Sequence, residues 1–172
     1  AVHPNYSNWR IGYDIALIKV DDVFGGKFSP IASADEIRAF SDSFSLVTAS
    51  GFGLTSETGS PSRIALEVTL TLLSPGTCSN SLPSELRSFS QTILCANGSS
   101  TASTCSGDSG GPLFLNTSTG RKLAGATSFG SALCTTSRTR YTNVSSYLTF
   151  LNSYGVGFPT SVMTPVPGPI PV

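Results

Sequence analysis

Thr104-Cys105-Ser106-Gly107-Asp108-Ser109-Gly110-Gly111-Pro112 is the stretch whose reading decides the rest of this chain. It sets one hydroxyl, Ser109, between a carboxylate and a run of glycines. Glycine tolerates positive φ and lets another backbone approach closely. A turn of this composition can therefore aim the N–H groups of Gly107 and Ser109 at one point. Two such donors form an oxyanion hole, and removing one costs on the order of 10²-fold to 10³-fold in rate. A phosphate cradle would need a Lys-Ser or Lys-Thr pair behind the glycines, and none follows.

Working outward, the composition excludes several classes. The 172 residues allow one domain with a sizeable core. Charged residues make up 12% and the formal net charge is zero, so no basic patch points to nucleic acid and no polybasic segment to a membrane. No apolar run approaches the roughly 18 residues that span a bilayer. The first residue is Ala1, so any targeting segment is expected upstream. Cys78, Cys95, Cys105 and Cys134 allow three pairings. Their spacing is unlike a zinc site and a single histidine adds little ligand capacity, so disulfides are expected, and no metal or other cofactor. Disulfides imply an oxidising, extracellular compartment. The sequons at Asn5, Asn97, Asn116 and Asn143 agree with secretion.

Along the chain, residues 1–13 read as a loop, with His3-Pro4 as a turn signal. Ile15, Leu17, Ile18 and Val20 suit a buried strand, and Asp21-Asp22 a turn. Residues 24–45 read as an irregular connection. Strands are expected at Ile64 to Leu73 by strict alternation, at Thr92 to Ala96, at Pro112 to Leu115, at Leu123 to Phe129 and at Arg140 to Val144. A short helix or irregular loop is expected between Cys78 and Phe89. Val144, Tyr147, Leu148 and Leu151 recur at helical spacing, which predicts a helix over Ser145 to Tyr154, capped by Asn143 or Ser145 and closed at Gly155. The prolines from Pro159 to Pro171 read as a polyproline-type tail.

Gly107 to Pro112 resembles the nucleophile motif of the chymotrypsin/trypsin-like serine proteases, and Asp14-Ile15-Ala16-Leu17 resembles their triad-aspartate motif. The likeness runs from about His3 to Tyr154. It implies an all-β fold, the trypsin-like double β-barrel with its first barrel incomplete, followed by a C-terminal α-helix. Residues 1–45 would be a remnant of the first barrel and the inter-barrel connection. Residues 46–156 would be the second barrel plus helix, and residues 157–172 the tail. The resemblance also implies the pairs Cys78–Cys95 and Cys105–Cys134.

The same resemblance assigns roles. Ser109 would be the nucleophile, Asp14 the acid that orients a histidine base, and Gly107 with Ser109 the oxyanion hole. Asp108 would pair with a newly cut N-terminal amine; buried without it, the loop is expected to relax toward a zymogen-like form. Ser103 would floor the primary specificity pocket, Ser128, Phe129 and Gly130 would form one wall, and Thr139 would stand where glycine is common and shorten the slot. An apolar, medium or small P1 residue follows. His3, the only histidine, lies where the family carries a surface loop, so the chain as given lacks the base. The expected activity is that of a secreted, monomeric serine endopeptidase acting on polypeptide substrates and bound by protein inhibitors. The alternatives are a non-catalytic homologue that binds a partner through the same surface and an unrelated adhesive protein.

Overall fold

The computed structural model describes residues 1–8, 12–20, 28–99, 102–130, 134 and 138–156. Six strands close a barrel: β1 (Leu46–Gly51), β2 (Leu66–Leu72), β3 (Ile93–Asn97), β4 (Pro112–Thr117), β5 (Gly120–Phe129) and β6 (Arg138–Asn143). Every pairing is antiparallel, in the spatial order β1-β2-β3-β6-β5-β4, with β4 returning to β1. Closure leaves no free sheet edge.

Period-two alternation builds this barrel. Val47 and Ala49 on β1, Leu70 and Leu72 on β2, Leu113 and Leu115 on β4, and Tyr141 on β6 fill its interior. Strand β3 serves two cores at once. Leu94 and Ala96 point into the barrel, whereas Ile93 and Cys95 face outward to Leu73, Cys78, Leu82 and Leu86. The outer layer is α2 (Pro75–Asn80) with the 3₁₀ segment Ser84–Thr92. The Cys78–Cys95 disulfide staples α2 to β3 across a Cα separation of 5.4 Å. Cys105–Cys134 spans 5.0 Å between Cα atoms. Closing loops of 17 and 29 residues stabilises by about 3 kcal/mol each in the chain-entropy account.

Several expectations need correction. The apolar run after Asp14 forms no strand: Val2 and Ala16 make one isolated bridge, Ile18 is 89% exposed and Val20 51%. Ile15 and Leu17 do pack, against Val144, Phe150 and Leu151. Among the described residues the run bonds to residues 1–3 (His3 N–H to Ile15 O, 3.1 Å; Leu17 N–H to Ala1 O, 2.7 Å) and locally to Tyr13 O, which makes no ladder. Strand β2 starts at Leu66 rather than Ile64, because β1 pairing ends at Gly51 opposite Leu66. The C-terminal helix is split into a 3₁₀ turn, Val144–Tyr147, and α3 (Leu148–Asn152), with no side-chain cap.

The connection contains an unexpected helix, α1 (Ala34–Asp42). Ser33 and Glu36 form a reciprocal capping box, and Ile37 is buried against the barrel. Glu36 also pairs with Lys122 of β5. The expected Asp21-Asp22 turn and the proline-rich segment 157–172 lie outside the described residues.

Leu115 is fully buried. Leu115→Ala is expected to lower unfolding free energy by about 2–5 kcal/mol, whereas Ile18→Ser should change it by less than about 0.5 kcal/mol. Urea midpoints of the two variants check this; equal losses would contradict the burial pattern.

Candidate active site

The loop from Cys105 to Pro112 is held from two sides. Gly107 and Gly110 take φ of +94° and +80°, which side-chain-bearing residues rarely adopt. Asp108 N–H donates to Cys105 O at 3.1 Å and Gly111 N–H to Asp108 O at 2.8 Å, which folds the loop tightly. Gly110 N–H reaches Thr127 O and Thr127 N–H reaches Gly111 O, both at 2.8 Å, which clamps the loop to β5. Ser109 is left exposed at the crest. Among the described residues, the N–H groups of Gly107 and Ser109 have no acceptor.

Asp108 points inward. Its carboxylate accepts from Gly53 N–H and Cys105 N–H, both at 2.8 Å, so the charge is not left bare. A Cβ on Gly51 would stand 2.1 Å from Asp108 Oδ1, and one on Gly53 would be 2.6 Å from its Cγ. The Gly-Phe-Gly turn at the end of β1 is thus shaped to admit this carboxylate. Behind it lies a cavity of about 180 Å³, bordered by Leu54, Val68, Ser103 and Asp108 among others.

On the other side of Ser109 a second pocket, about 270 Å³, is lined by Thr104, Cys105, Ser106, Thr127, Ser128, Phe129, Gly130 and Thr139 as well as Ser109 itself. This gathers Ser128, Phe129, Gly130 and Thr139 around the nucleophile candidate. Ser103 is the exception: it borders the cavity behind Asp108 rather than this pocket, with its hydroxyl 3.5 Å from that of Thr139. The buried Thr104 donates to Thr139 Oγ1 at 2.7 Å and lies 3.3 Å from Tyr141 OH. Thr139 faces Gly130 across the pocket, where a Cβ on the glycine would sit 3.7 Å from Thr139 Oγ1.

Asp14 does not line this pocket but touches one of its walls through Ser128. Its carboxylate accepts from Ser128 Oγ at 2.5 Å, and its backbone carbonyl accepts from Thr142 Oγ1 at 2.7 Å. Tyr13 precedes it at φ +59° and donates its N–H to Tyr147 OH at 3.0 Å, so the backbone entering Asp14 is fixed. Ser128 therefore joins Asp14 to the pocket that Ser109 lines. The roles of Thr104, Tyr141 and Thr142 carry no local sequence signal, because each works through a hydroxyl brought in from a distant segment.

His3 is engaged elsewhere. Its ring stacks on Tyr13 at 4.9 Å between centroids and meets Phe150 at 4.9 Å and Tyr147 at 5.5 Å. Its Nδ1 accepts from Asn5 N–H at 3.2 Å.

Comparison with known proteins agrees with this geometry. The family model described as Trypsin matches residues 1–151. Chymotrypsin-like elastase family member 1 of Canis lupus familiaris is 33% identical over 159 residues, covering 88% of this chain and 61% of the relative. CLIP domain-containing serine protease B4 of Anopheles gambiae is 39% identical over 160 residues, covering 87% and 44%. Among solved structures, the secreted serine protease VesC from Vibrio cholerae superposes with a TM-score of 0.65 at 25% identity, covering 89% of this chain and 32% of that one. The chain spans about three-fifths or less of the length of these relatives.

Burial pushes the Tyr141 phenol up to about 12; hydrogen bonds from Thr104 and Thr139 oppose this, and the Asp108 charge adds to it. The unfolded chain releases that proton near pH 10. Stability from the neutral phenol is complete below pH 10 and lost as pH rises from 10 toward 12, by about 1.4 kcal/mol per pH unit. Urea titrations between pH 9 and about 12 should show this slope, and Tyr141→Phe should lack that component.

Proposed function

This chain belongs to the trypsin family of serine proteases, and we propose that it carries the nucleophile and specificity pocket of a secreted endopeptidase. The observation that carries this reading is Ser109. It is exposed, its own N–H and that of Gly107 have no acceptor among the described residues, and it lines a pocket that Ser128 ties to Asp14. Ser109 Oγ attacks the scissile carbonyl, and the N–H groups of Gly107 and Ser109 receive the oxyanion. An imidazole takes the serine proton, and Asp14, steadied by the Ser128 hydroxyl, holds that imidazole in orientation.

These residues do not themselves offer that imidazole. His3 is committed to the aromatic cluster with Tyr13 and Phe150. The base is contributed by a segment outside the 172 residues, in keeping with the greater length of the relatives. In this reading residues 1–45 are the end of a first barrel and its connection, and residues 46–156 are the second barrel with its helix. The cavity behind Asp108 receives a newly cut N-terminal amine, which adds an ion pair to the two amide bonds already present. The partners are polypeptide substrates and protein inhibitors.

Specificity follows from Thr139 and Thr104. Their bonded hydroxyls line the pocket, and none of the described residues lining it carries a carboxylate to attract Arg or Lys. A P1 side chain of small or medium size and apolar character fits best.

Two measurements test this. The chain alone should resist a fluorophosphonate probe, because loss of a triad member leaves only the roughly 10³-fold to 10⁴-fold acceleration that binding and the oxyanion hole supply. The longer gene product should label at Ser109 and lose on the order of 10⁶-fold in kcat on Ser109→Ala. Peptides with P1 Ala, Leu, Phe and Arg should rank Ala and Leu first, and Thr139→Gly should raise kcat/KM for Phe. Preference for Arg would overturn the specificity, and an unreactive longer product would favour a non-catalytic binding homologue.

A further inference from the structure

The four Asn-x-Ser/Thr sequons are treated differently by the fold. Asn97 ends β3, half-buried, and its Oδ1 accepts from Arg138 Nε at 3.1 Å. Asn116 is an exposed residue of β4, but its Nδ2 donates at 2.9 Å to the hydroxyl of Thr48, which is buried. Asn143 ends β6. Its Nδ2 donates to Gln91 O at 3.1 Å, and its Oδ1 accepts at 2.8 Å from Ser145, the hydroxyl of its own sequon. All three side chains are spent on contacts that hold strands to their neighbours.

Asn5 belongs to no strand. It is the third residue of the turn His3-Pro4-Asn5-Tyr6, in which Tyr6 N–H donates to His3 O at 2.9 Å and proline occupies the second position it favours. Asn5, Tyr6 and Ser7 are all exposed. The backbone N–H of Asn5 bonds to His3 Nδ1, while among the described residues its carboxamide has no partner. The His3 ring that anchors the turn is packed on Tyr13 and Phe150, so the base of the turn is fixed while Asn5 projects outward.

We propose that Asn5 is an N-glycosylation site, the exposed sequon whose carboxamide is free of the strand contacts that engage the other three. The co-substrate is a lipid diphosphate-linked oligosaccharide. The Asn5 Nδ2 lone pair forms the bond to the sugar C1, the C1–O bond to the diphosphate breaks, the lipid diphosphate leaves with that electron pair, and one amide proton passes to the transferase. A glycan is bulky and needs water on all sides after folding. The turn at Asn5 offers that, whereas a glycan on Asn97 or Asn143 would compete for the space Arg138 and Gln91 occupy. This inference rests on the secreted reading above, but not on catalysis.

The test is glycopeptide mapping of the protein secreted from mammalian cells, with glycans removed by an amidase in heavy-oxygen water. Label is expected at Asn5 in most molecules, with Asn97, Asn116 and Asn143 unlabelled. Asn5→Gln and Ser7→Ala should each remove the glycan, with both disulfides and the melting temperature retained; because the two changes are chemically different, a folding defect in one does not mask the result. A folded, secreted protein bare at Asn5, or one labelled as much at any strand asparagine, would overturn this inference alone. Failure of any folded, disulfide-bonded protein to reach the medium would overturn the secreted reading and this inference with it.

Discussion

The seating of one carboxylate governs the rest of the site. Asp108 is drawn inward by two backbone N–H groups at 2.8 Å, one from the end of β1 and one from its own loop. Bonds to an ionised acceptor are roughly twice as strong as neutral ones, and a buried carboxylate without them would be costly. Because Asp108 turns in, its neighbour Ser109 turns out. The left-handed backbone at Gly107 and Gly110 allows this reversal within a few residues. The absence of side chains at positions 51 and 53 makes the room.

Relative magnitudes show what holds this arrangement. The Arg121–Glu67 pair lies on the surface, where water screens it and such pairs add little. Each disulfide contributes more, and Cys105–Cys134 fastens the site loop directly. Full burial of Leu70, Leu72, Leu113 and Leu115 adds roughly 1.5–3 kcal/mol per side chain before entropy is counted. A chain so poor in charge therefore relies on barrel closure and covalent crosslinks, and its few polar contacts are concentrated where they set geometry.

The strands were legible wherever one face is buried and the other is not, as in β2 and β4, because alternation then reports the environment directly. The run from Ile15 to Val20 misled because apolar content resembles a strand, yet a strand exists only with a partner to share its hydrogen bonds. Helix α1 carried a local signal, Ser33 with Glu36 three residues on, hidden within an otherwise irregular composition. At the site, Ser109, Asp108 and the glycines were legible as a unit. Ser103 borders the cavity behind Asp108 while its hydroxyl lies 3.5 Å from that of Thr139, which lines the pocket beside Ser109.

What the order of residues determined was the chemistry on offer: a glycine-flanked hydroxyl, an inward acid, four cysteines and a single histidine. These are local, since turn conformation and side-chain identity need no distant partner. What only the tertiary structure decided was how those groups are used. Asp14 meets Ser128 across 114 positions of sequence, and Thr104 meets Thr139 across 35. Such contacts depend on strand register and barrel closure, which are set by the packing of the whole core and leave no trace at either residue alone.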